Sequence, residues 1–493
     1  MLTLLLLTPF SFLCYALYSG EYSRNFLYIF LIFSFIYVLL LVLILKPQWS
    51  IYLFFIIWIV VPKYMRALPI IGKFDLPGLG IFDLVHSVAA LTVGLVLITR
   101  RVRWKEIKAP QGLKRFYILF FITAFLTTIF SLFLRNLWNI TFSQEFNLNY
   151  WLRNLSYLFY GLIIFYALLA YIKEVRQIET ILGVFCFGGA LLIIESIFIY
   201  KLKISSFFAE YATFEEGQFQ SLFFLDPLLV GIFCILALGS SLYFMQAYKK
   251  NYLLFFIILL FVPIMATYSK SILGASLVVL MFFLYMLKRK YFFVFLVILI
   301  LILFWMGNMQ DLFYKITSFL GGRVRTEYWS EGTATSRIGA YFRTIDVLIF
   351  SFPFGIGEGM IQWFTGSSVP TYLGGFISDF NAQNMYWGMA SGIKPTSSHN
   401  IYMQFITEHG LLGIIVLVYF IYLISQNFRI FMKNYISKTR DKILQVCIYA
   451  SLFGIAFFHF WDSAYKLYFI YFTYFYFTFL LRELDKSDSS ITS

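Results

Sequence analysis

Fourteen apolar segments divide the chain, at about 2–18, 26–45, 50–67, 80–99, 115–134, 154–172, 178–200, 221–245, 251–267, 271–287, 291–307, 401–424, 443–461 and 465–481. This recurrence constrains the fold more than any motif does. A helix needs about 20 consecutive apolar residues to cross a bilayer core, where only helices and closed barrels satisfy their own backbone groups. With 61% hydrophobic and 13% charged residues and a mean hydropathy of +0.81, the 493-residue chain cannot hide so much apolar surface in a water-soluble core. The expectation is an all-α, polytopic transmembrane helix bundle of about 12–14 spans. The segments at 2–18, 50–67 and 251–267 are short or interrupted, with Pro62 inside one of them. The first lacks a basic leader and a small-residue cleavage site, so it reads as an anchor and not as a removed signal peptide.

Three regions follow: residues 1–307 as a bundle of about 11 spans, residues 308–398 as a large extracytoplasmic loop, and residues 399–493 as C-terminal transmembrane helices with a tail. Basic residues set the orientation. They collect in alternate connections: Lys46, the run from Arg100 to Arg115, Lys249-Lys250, Lys288-Arg289-Lys290, and the stretch from Arg429 to Lys442. Most connections of the other parity are poorer, although 63–73 holds three. The positive-inside bias therefore places both termini in the cytoplasm and 308–398 outside. It also accounts for the net charge of +14 without nucleic acid as a partner. Cys14, Cys186, Cys234 and Cys447 all lie in apolar segments and read as packing residues.

Three outward stretches are long: 135–153, 201–220 and 308–398, the last carrying Trp329, Trp363 and Trp387. Aromatic faces beside amides and hydroxyls suit sugar rings, and they equally suit the membrane interface. Within 308–398, Ile338, Tyr341, Phe342, Ile345, Leu348, Ile349 and Phe352 recur at helical spacing, and the pattern stops at Pro353-Phe354-Gly355-Ile356-Gly357-Glu358-Gly359. No strand precedes those glycines and no Lys-Ser/Thr pair follows, so they read as a turn and not as a phosphate-binding loop.

The chemistry concentrates where this stretch ends, at Ser397-Ser398-His399-Asn400. His399 stands at the mouth of an apolar helix in which Asn400, Gln404 and Glu408 share one face, a stripe that must look onto protein or a wet cavity. Ser397 and Ser398 are the expected caps. The helix N-terminus favours an anion and a neutral imidazole, the form needed for general-base work. His409 reads as an orienting residue, and His86 and His459 as helix-contact residues. No second His, Cys or paired carboxylate lies at ligand spacing, so no metal or other cofactor is expected. Among the cations, Arg337 lies at the margin of the apolar arc of its helix, where it can turn toward a site. Arg343 falls on the opposite face, three residues before Asp346, as in a surface ion pair. Lys270, in the polar break Thr267-Tyr268-Ser269-Lys270-Ser271, is either an interfacial snorkel or a phosphate contact. There is no Asp-x-Asp, Walker-type or Rossmann glycine motif, so a phosphate-bearing donor at an outer site has to be lipid-linked. No inverted repeat is evident, which weighs against a transporter.

The run from His399-Asn400 through Glu408-x-Gly410-x-x-Gly413 resembles the signature of the O-antigen ligase and polymerase (Wzy/WaaL-like) superfamily. So do Ser336-Arg337-x-x-x-Tyr341 followed by Pro353-x-Gly355-x-Gly357-x-Gly359, the Ser269-Lys270 pair in place of Ser-Arg, and Asp226-Pro227. The resemblance implies an inverting, metal-independent glycosyltransferase in the bacterial cytoplasmic (inner) membrane. Its donor would be an undecaprenyl-diphosphate-linked glycan, used on the outer face with a glycan acceptor. Membrane lipid and a chain-length regulator protein would be partners. His399 would deprotonate or position the acceptor hydroxyl and Arg337 would bind the diphosphate. Lys270 keeps a positive charge but loses the bidentate fork. Asn400, Gln404, Glu408 and Arg343 would be substrate-binding. The chain's length and its extra apolar segments favour a polymerase over a ligase, with a flippase or other transporter third. One consequence is measurable: Arg337→Lys should lose most activity at equal membrane protein level, whereas Arg343→Lys should be mild if that side chain is a surface one.

Overall fold

The computed structural model describes Leu43, residues 45–60, 81–137, 148–197, 227–267, 269–305, 331–392, 400–433, 439–461 and 468–491. The apolar segment 2–18, nearly all of 26–45, and the stretch 201–220 lie outside these residues.

The described residues form fifteen α-helices. The first five are α1 (Gln48–Val60), α2 (Ile81–Thr99), α3 (Gln111–Leu137), α4 (Leu148–Tyr171) and α5 (Val175–Ile194). Next come α6 (Pro227–Ala247), α7 (Leu253–Ala266), α8 (Lys270–Leu287) and α9 (Arg289–Trp305). The predicted loop holds α10 (Glu331–Ser351), α11 (Ile361–Thr365) and α12 (Phe380–Ala390). The chain then finishes with α13 (Ile401–Lys433), α14 (Arg440–Trp461) and α15 (Tyr468–Ile491). Each apolar segment that falls on described residues is a helix, and five stretches are long and apolar enough to cross a membrane: Gln111–Ser131, Val175–Ile197, Val230–Ala247, Ile401–Lys433 and Arg440–Phe460. The chain is a polytopic membrane helix bundle.

Helices pack through their small residues. A Cβ on Gly231 of α6 would meet the Ile272 side chain of α8 at 2.1 Å, and one on Gly454 of α14 would meet Val279 of α8 at 2.5 Å. These close approaches stack α6, α8 and α14. Interlocked rings such as Trp58 and Phe469, with centroids 4.6 Å apart, fasten α1 to α15. Outward, α3 shows Phe121, Phe125 and Phe133 and α13 shows Ile415, Val418 and Ile421, the side chains a lipid environment accepts. At the start of α14, Arg440 grips the buried Glu179 of α5 and stacks on Tyr248, just after α6, 4.8 Å from its ring centroid.

Sequence periodicity predicts one continuous span at 401–424, and the structure differs there. Gly410 takes φ 56° and ψ −138°, so α13 is two helical halves joined at a break. A break inside an apolar helix frees backbone groups that lipid cannot satisfy. They are met by the glycine turn after α10: the amides of Ile356 and Gly357 donate to the carbonyls of Thr407 (3.2 Å) and Glu408 (2.8 Å), and the Leu411 amide donates to Pro353 (2.9 Å). Only glycine allows this contact. Gly355 has φ +78°, and a Cβ on it would lie 2.5 Å from the Glu408 carbonyl oxygen. A Cβ on Gly410 would lie 2.2 Å from that of Pro353.

Gly410→Ala and Gly355→Ala should therefore each lower the melting temperature of the detergent-solubilised protein. The left-handed backbone alone costs about 1–3 kcal/mol, before the clash is added. Gly183→Ala on α5, where a Cβ would meet nothing within 4 Å, should be neutral or stabilising in the same assay.

Candidate active site

Asn400 caps α13. Its Oδ1 accepts from the amides of Tyr402 and Met403, both at 3.0 Å, while its Nδ2 donates to the Phe460 carbonyl of α14 at 2.9 Å. The capping expected of Ser397 and Ser398 is supplied by Asn400, whose oxygen reaches the first free amides. Ser397, Ser398 and His399 themselves lie outside the described residues. Along α13 the polar stripe turns inward: Asn400, Gln404 and Glu408 are all buried, and Gln404 Nε2 donates to Glu408 Oε1 at 3.1 Å.

One turn deeper, α13 meets the glycine turn, and a cluster forms that no spacing in the sequence announces. Glu358, Glu408 and His409 are each 0% exposed. Thr127 Oγ1 of α3 lies 2.9 Å from the Thr123 carbonyl and pairs with His409 Nδ1 at 2.7 Å. On the other side of the ring, His409 Nε2 lies 3.0 Å from Glu358 Oε2. Tyr468 of α15 donates to the Glu358 carboxylate at 3.4 Å, and Phe405 closes the other side with its ring centroid 4.5 Å from that of His409. Gly413 leaves the room required, since a Cβ there would sit 2.7 Å from that of His409.

Ligand atoms of Glu358, Glu408 and His409 lie within 4.8 Å of one another, a set that could hold a metal ion. The expectation that no paired carboxylate stands at ligand spacing fails here, because the turn brings Glu358 from 50 residues upstream. His409 stands between Thr127 and Glu358. The residue missed is Glu358. The available signal was an ionisable side chain between two glycines beside an apolar helix, and such residues are costly unless used.

The segment 331–373 is organised by Arg343, and here the sequence reading is corrected. Arg343 is not on a solvated face but fully buried. Its Nε donates to the Thr365 carbonyl at 2.9 Å, Nη1 to Pro370 at 3.1 Å, and Nη2 to Ser367 at 3.2 Å and Val369 at 3.1 Å. Asp346, predicted as its surface partner, is buried 3.6 Å away and also takes the Leu373 amide at 3.0 Å and the Tyr386 hydroxyl. A helical wheel shows only α10 itself, and the segment 360–373 folds over the face it marks as solvated. Val347, Ile356, Met360, Ile361, Phe364 and Val369 fill the small core beneath. Burial, followed by the bond to Asp346, pushes the Tyr386 hydroxyl up to about 12, so it stays a donor at neutral pH. Burial raises the Asp346 carboxyl despite Tyr386 and Arg343, and lowers the Arg343 guanidinium despite Asp346. With its guanidinium committed to the fold, Arg343 is a positioning group and not the substrate-binding one that the resemblance implies.

Arg337 is half-buried on the same helix, two residues before Gly339, where α10 touches α12 so closely that a Cβ would meet the Ala382 carbonyl oxygen at 2.0 Å. Lys270 opens α8 directly after its cap, Ser269, whose Oγ accepts from the Ile272 amide at 3.4 Å and pairs with Ser271 Oγ at 2.7 Å. His459 is buried between α14 and α15, its ring 5.2 Å from that of Tyr471, as a helix-contact residue should be.

Residues 254–418 match the family model described as O-antigen ligase. No curated protein and no solved structure matches the chain. The matched segment runs from α7 into α13 and includes Lys270, Arg337, the glycine turn and the helix break.

The burial of Arg343 reverses the mild effect that a surface position would give. Arg343→Lys cannot reach four carbonyls in one plane, and each buried acceptor left without a donor costs about 1–3 kcal/mol. Hydrogen exchange of the amides at 365–373 should speed up markedly in Arg343→Lys.

Proposed function

We propose that the chain is a polysaccharide polymerase of the O-antigen ligase/polymerase superfamily, a reading supported by the match of residues 254–418 to the family model described as O-antigen ligase. It joins undecaprenyl-diphosphate-linked oligosaccharide repeat units on the outer face of the bacterial cytoplasmic membrane, with both termini inside. The observation that carries this reading is the backbone lock within the matched segment: it seats the helix that follows His399 against the turn that follows the Arg337 helix.

In the proposed reaction an acceptor sugar hydroxyl attacks the anomeric carbon of the donor. A C–O bond forms to the acceptor as the C–O bond to the diphosphate breaks. The displacement inverts the anomeric centre, and undecaprenyl diphosphate leaves with the electron pair. His399 takes the hydroxyl proton, as a neutral imidazole next to a helix N-terminus is suited to do. The Arg337 fork holds the diphosphate as its charge grows. Lys270 adds a second positive charge. A lysine at a helix N-terminus opposes the helix dipole, and a bound anion offsets that cost. No step is assigned to a metal ion. The length of the chain and its large outer segment leave room for two lipid-linked substrates, which favours polymerisation. Ligation of finished polymer to lipid A core is the second reading, and the description of the matched family favours it.

His399→Ala should lower the rate by about 10²–10⁴, so that single lipid-linked repeat units accumulate while protein level is normal. His399→Gln separates proton transfer from positioning: near-normal chain length in that variant would leave His399 a positioning role only. Wild-type products from His399→Ala would remove the histidine from the site. Accumulation of complete but unattached polymer would transfer the function to ligation. The readout in each case is gel profiling of glycan and extracted lipid-linked intermediates.

A further inference from the structure

Helix α12 buries Ala382, Tyr386 and Met389 and leaves its largest apolar side chains outside: Phe380 is 72% exposed and Trp387 50%. The preceding turn adds Phe376 at 78% and Tyr372 at 48%. A short helix that turns its aromatics outward gives up burial energy, and a patch of this kind marks a binding surface. Phe380, Asn384 and Trp387 follow one another at four- and three-residue spacing, so they form one face, with Asn381 beside them. We propose that this face, with Tyr372 and Phe376 at its edge, is a glycan-binding platform for the saccharide part of the lipid-linked substrate. The inference rests on the transferase reading for the identity of the ligand, but not for the chemistry of the surface.

The polar residues between the aromatics favour a sugar over a lipid. Asp379 and Ser378 are exposed between Phe376 and Phe380, and Asn381 and Asn384 are exposed between Phe380 and Trp387. A carboxylate and two amides are costly in a bilayer, whereas sugar hydroxyls need such partners while an aromatic ring covers the C–H face of a pyranose. The surface is also built and held. Tyr386 packs edge-on against Trp387 with centroids 5.1 Å apart and donates to Asp346, which faces Arg343. A Cβ on Gly374 would lie 2.8 Å from the Trp387 ring, so the turn backbone supports the indole from one side. Asp379 caps the helix through the Ala382 amide at 2.9 Å. A rigid aromatic loses little entropy on binding. From Phe380 to Trp387 the face extends about 10 Å at 1.5 Å per residue, enough for adjoining sugar rings. Its helix lies across α10 at Gly339, two residues from Arg337.

The test uses full-length protein in phosphatidylcholine nanodiscs and lipid-linked oligosaccharide extracted from cells that lack the protein. Trp387→Ala should raise KM by about tenfold with kcat nearly unchanged, the mark of lost ground-state binding. Trp387→Phe should restore most of the affinity, and Asn384→Ala, on the exposed face, should weaken it without affecting folding. An unchanged KM in both Trp387→Ala and Asn384→Ala overturns the platform. So does quenching of Trp387 fluorescence by brominated phosphatidylcholine, measured as the difference between wild type and Trp387→Phe, because it would make the face a membrane contact. The soluble glycan released from the lipid by mild acid separates this inference from the transferase reading. Saturable, Trp387-dependent fluorescence change without any transfer keeps the platform and removes the proposed reaction, whereas transfer that is indifferent to Trp387 does the reverse.

Discussion

The pairing between the glycine turn 353–359 and the break in α13 at Gly410 is the contact on which the rest of the architecture depends. A span broken inside an apolar bundle needs its freed backbone groups satisfied by protein, and three hydrogen bonds to Thr407, Glu408 and Pro353 do so. Because glycines stand on both sides, the two backbones touch with no side chain between them. The turn is thereby fixed to the bundle, α10 is anchored at its C-terminal end, and Glu358 is carried to His409.

From that anchor the segment 331–392 is organised by a second, polar device. Arg343 gathers four carbonyls of the segment 365–370 while Asp346 collects the Leu373 amide and the Tyr386 hydroxyl. Burying a guanidinium and a carboxylate is expensive, and what offsets it is that their hydrogen-bonding capacity is directed at irregular backbone. A segment without regular structure acquires a defined shape in this way, and α12 acquires a fixed orientation over α10. The Glu358–His409–Thr127 chain does the corresponding work inside the bundle, linking the turn, α13 and α3.

The apolar periodicity alone was enough to identify the membrane bundle, the amphipathic α10 and the stop at Pro353, because helix period and proline chemistry are local properties. The motif order 269–270, 337, 353–359 and 399–413 was legible too, and the match over 254–418 supports the superfamily it suggested. Residues that depend on one element folding over another were not legible. A helical wheel puts Arg343 on the solvated face because it contains no neighbouring chain. The sequence offers Ser397 and Ser398 as caps beside Asn400, and the cap seen is Asn400, since which side chain meets the free amides is settled by local geometry.

What the sequence by itself determined is therefore the solvent the protein lives in, the helical class, and the residues available for chemistry, all of which follow from transfer free energies and local backbone preferences. What only the tertiary structure decided is which polar groups meet. Glu358 and His409 are 51 positions apart and Thr127 is 282 from His409, yet they share one buried cluster. Helix periodicity reports which face of an element is apolar, whereas pairing across such distances is decided by packing, and that requires three dimensions.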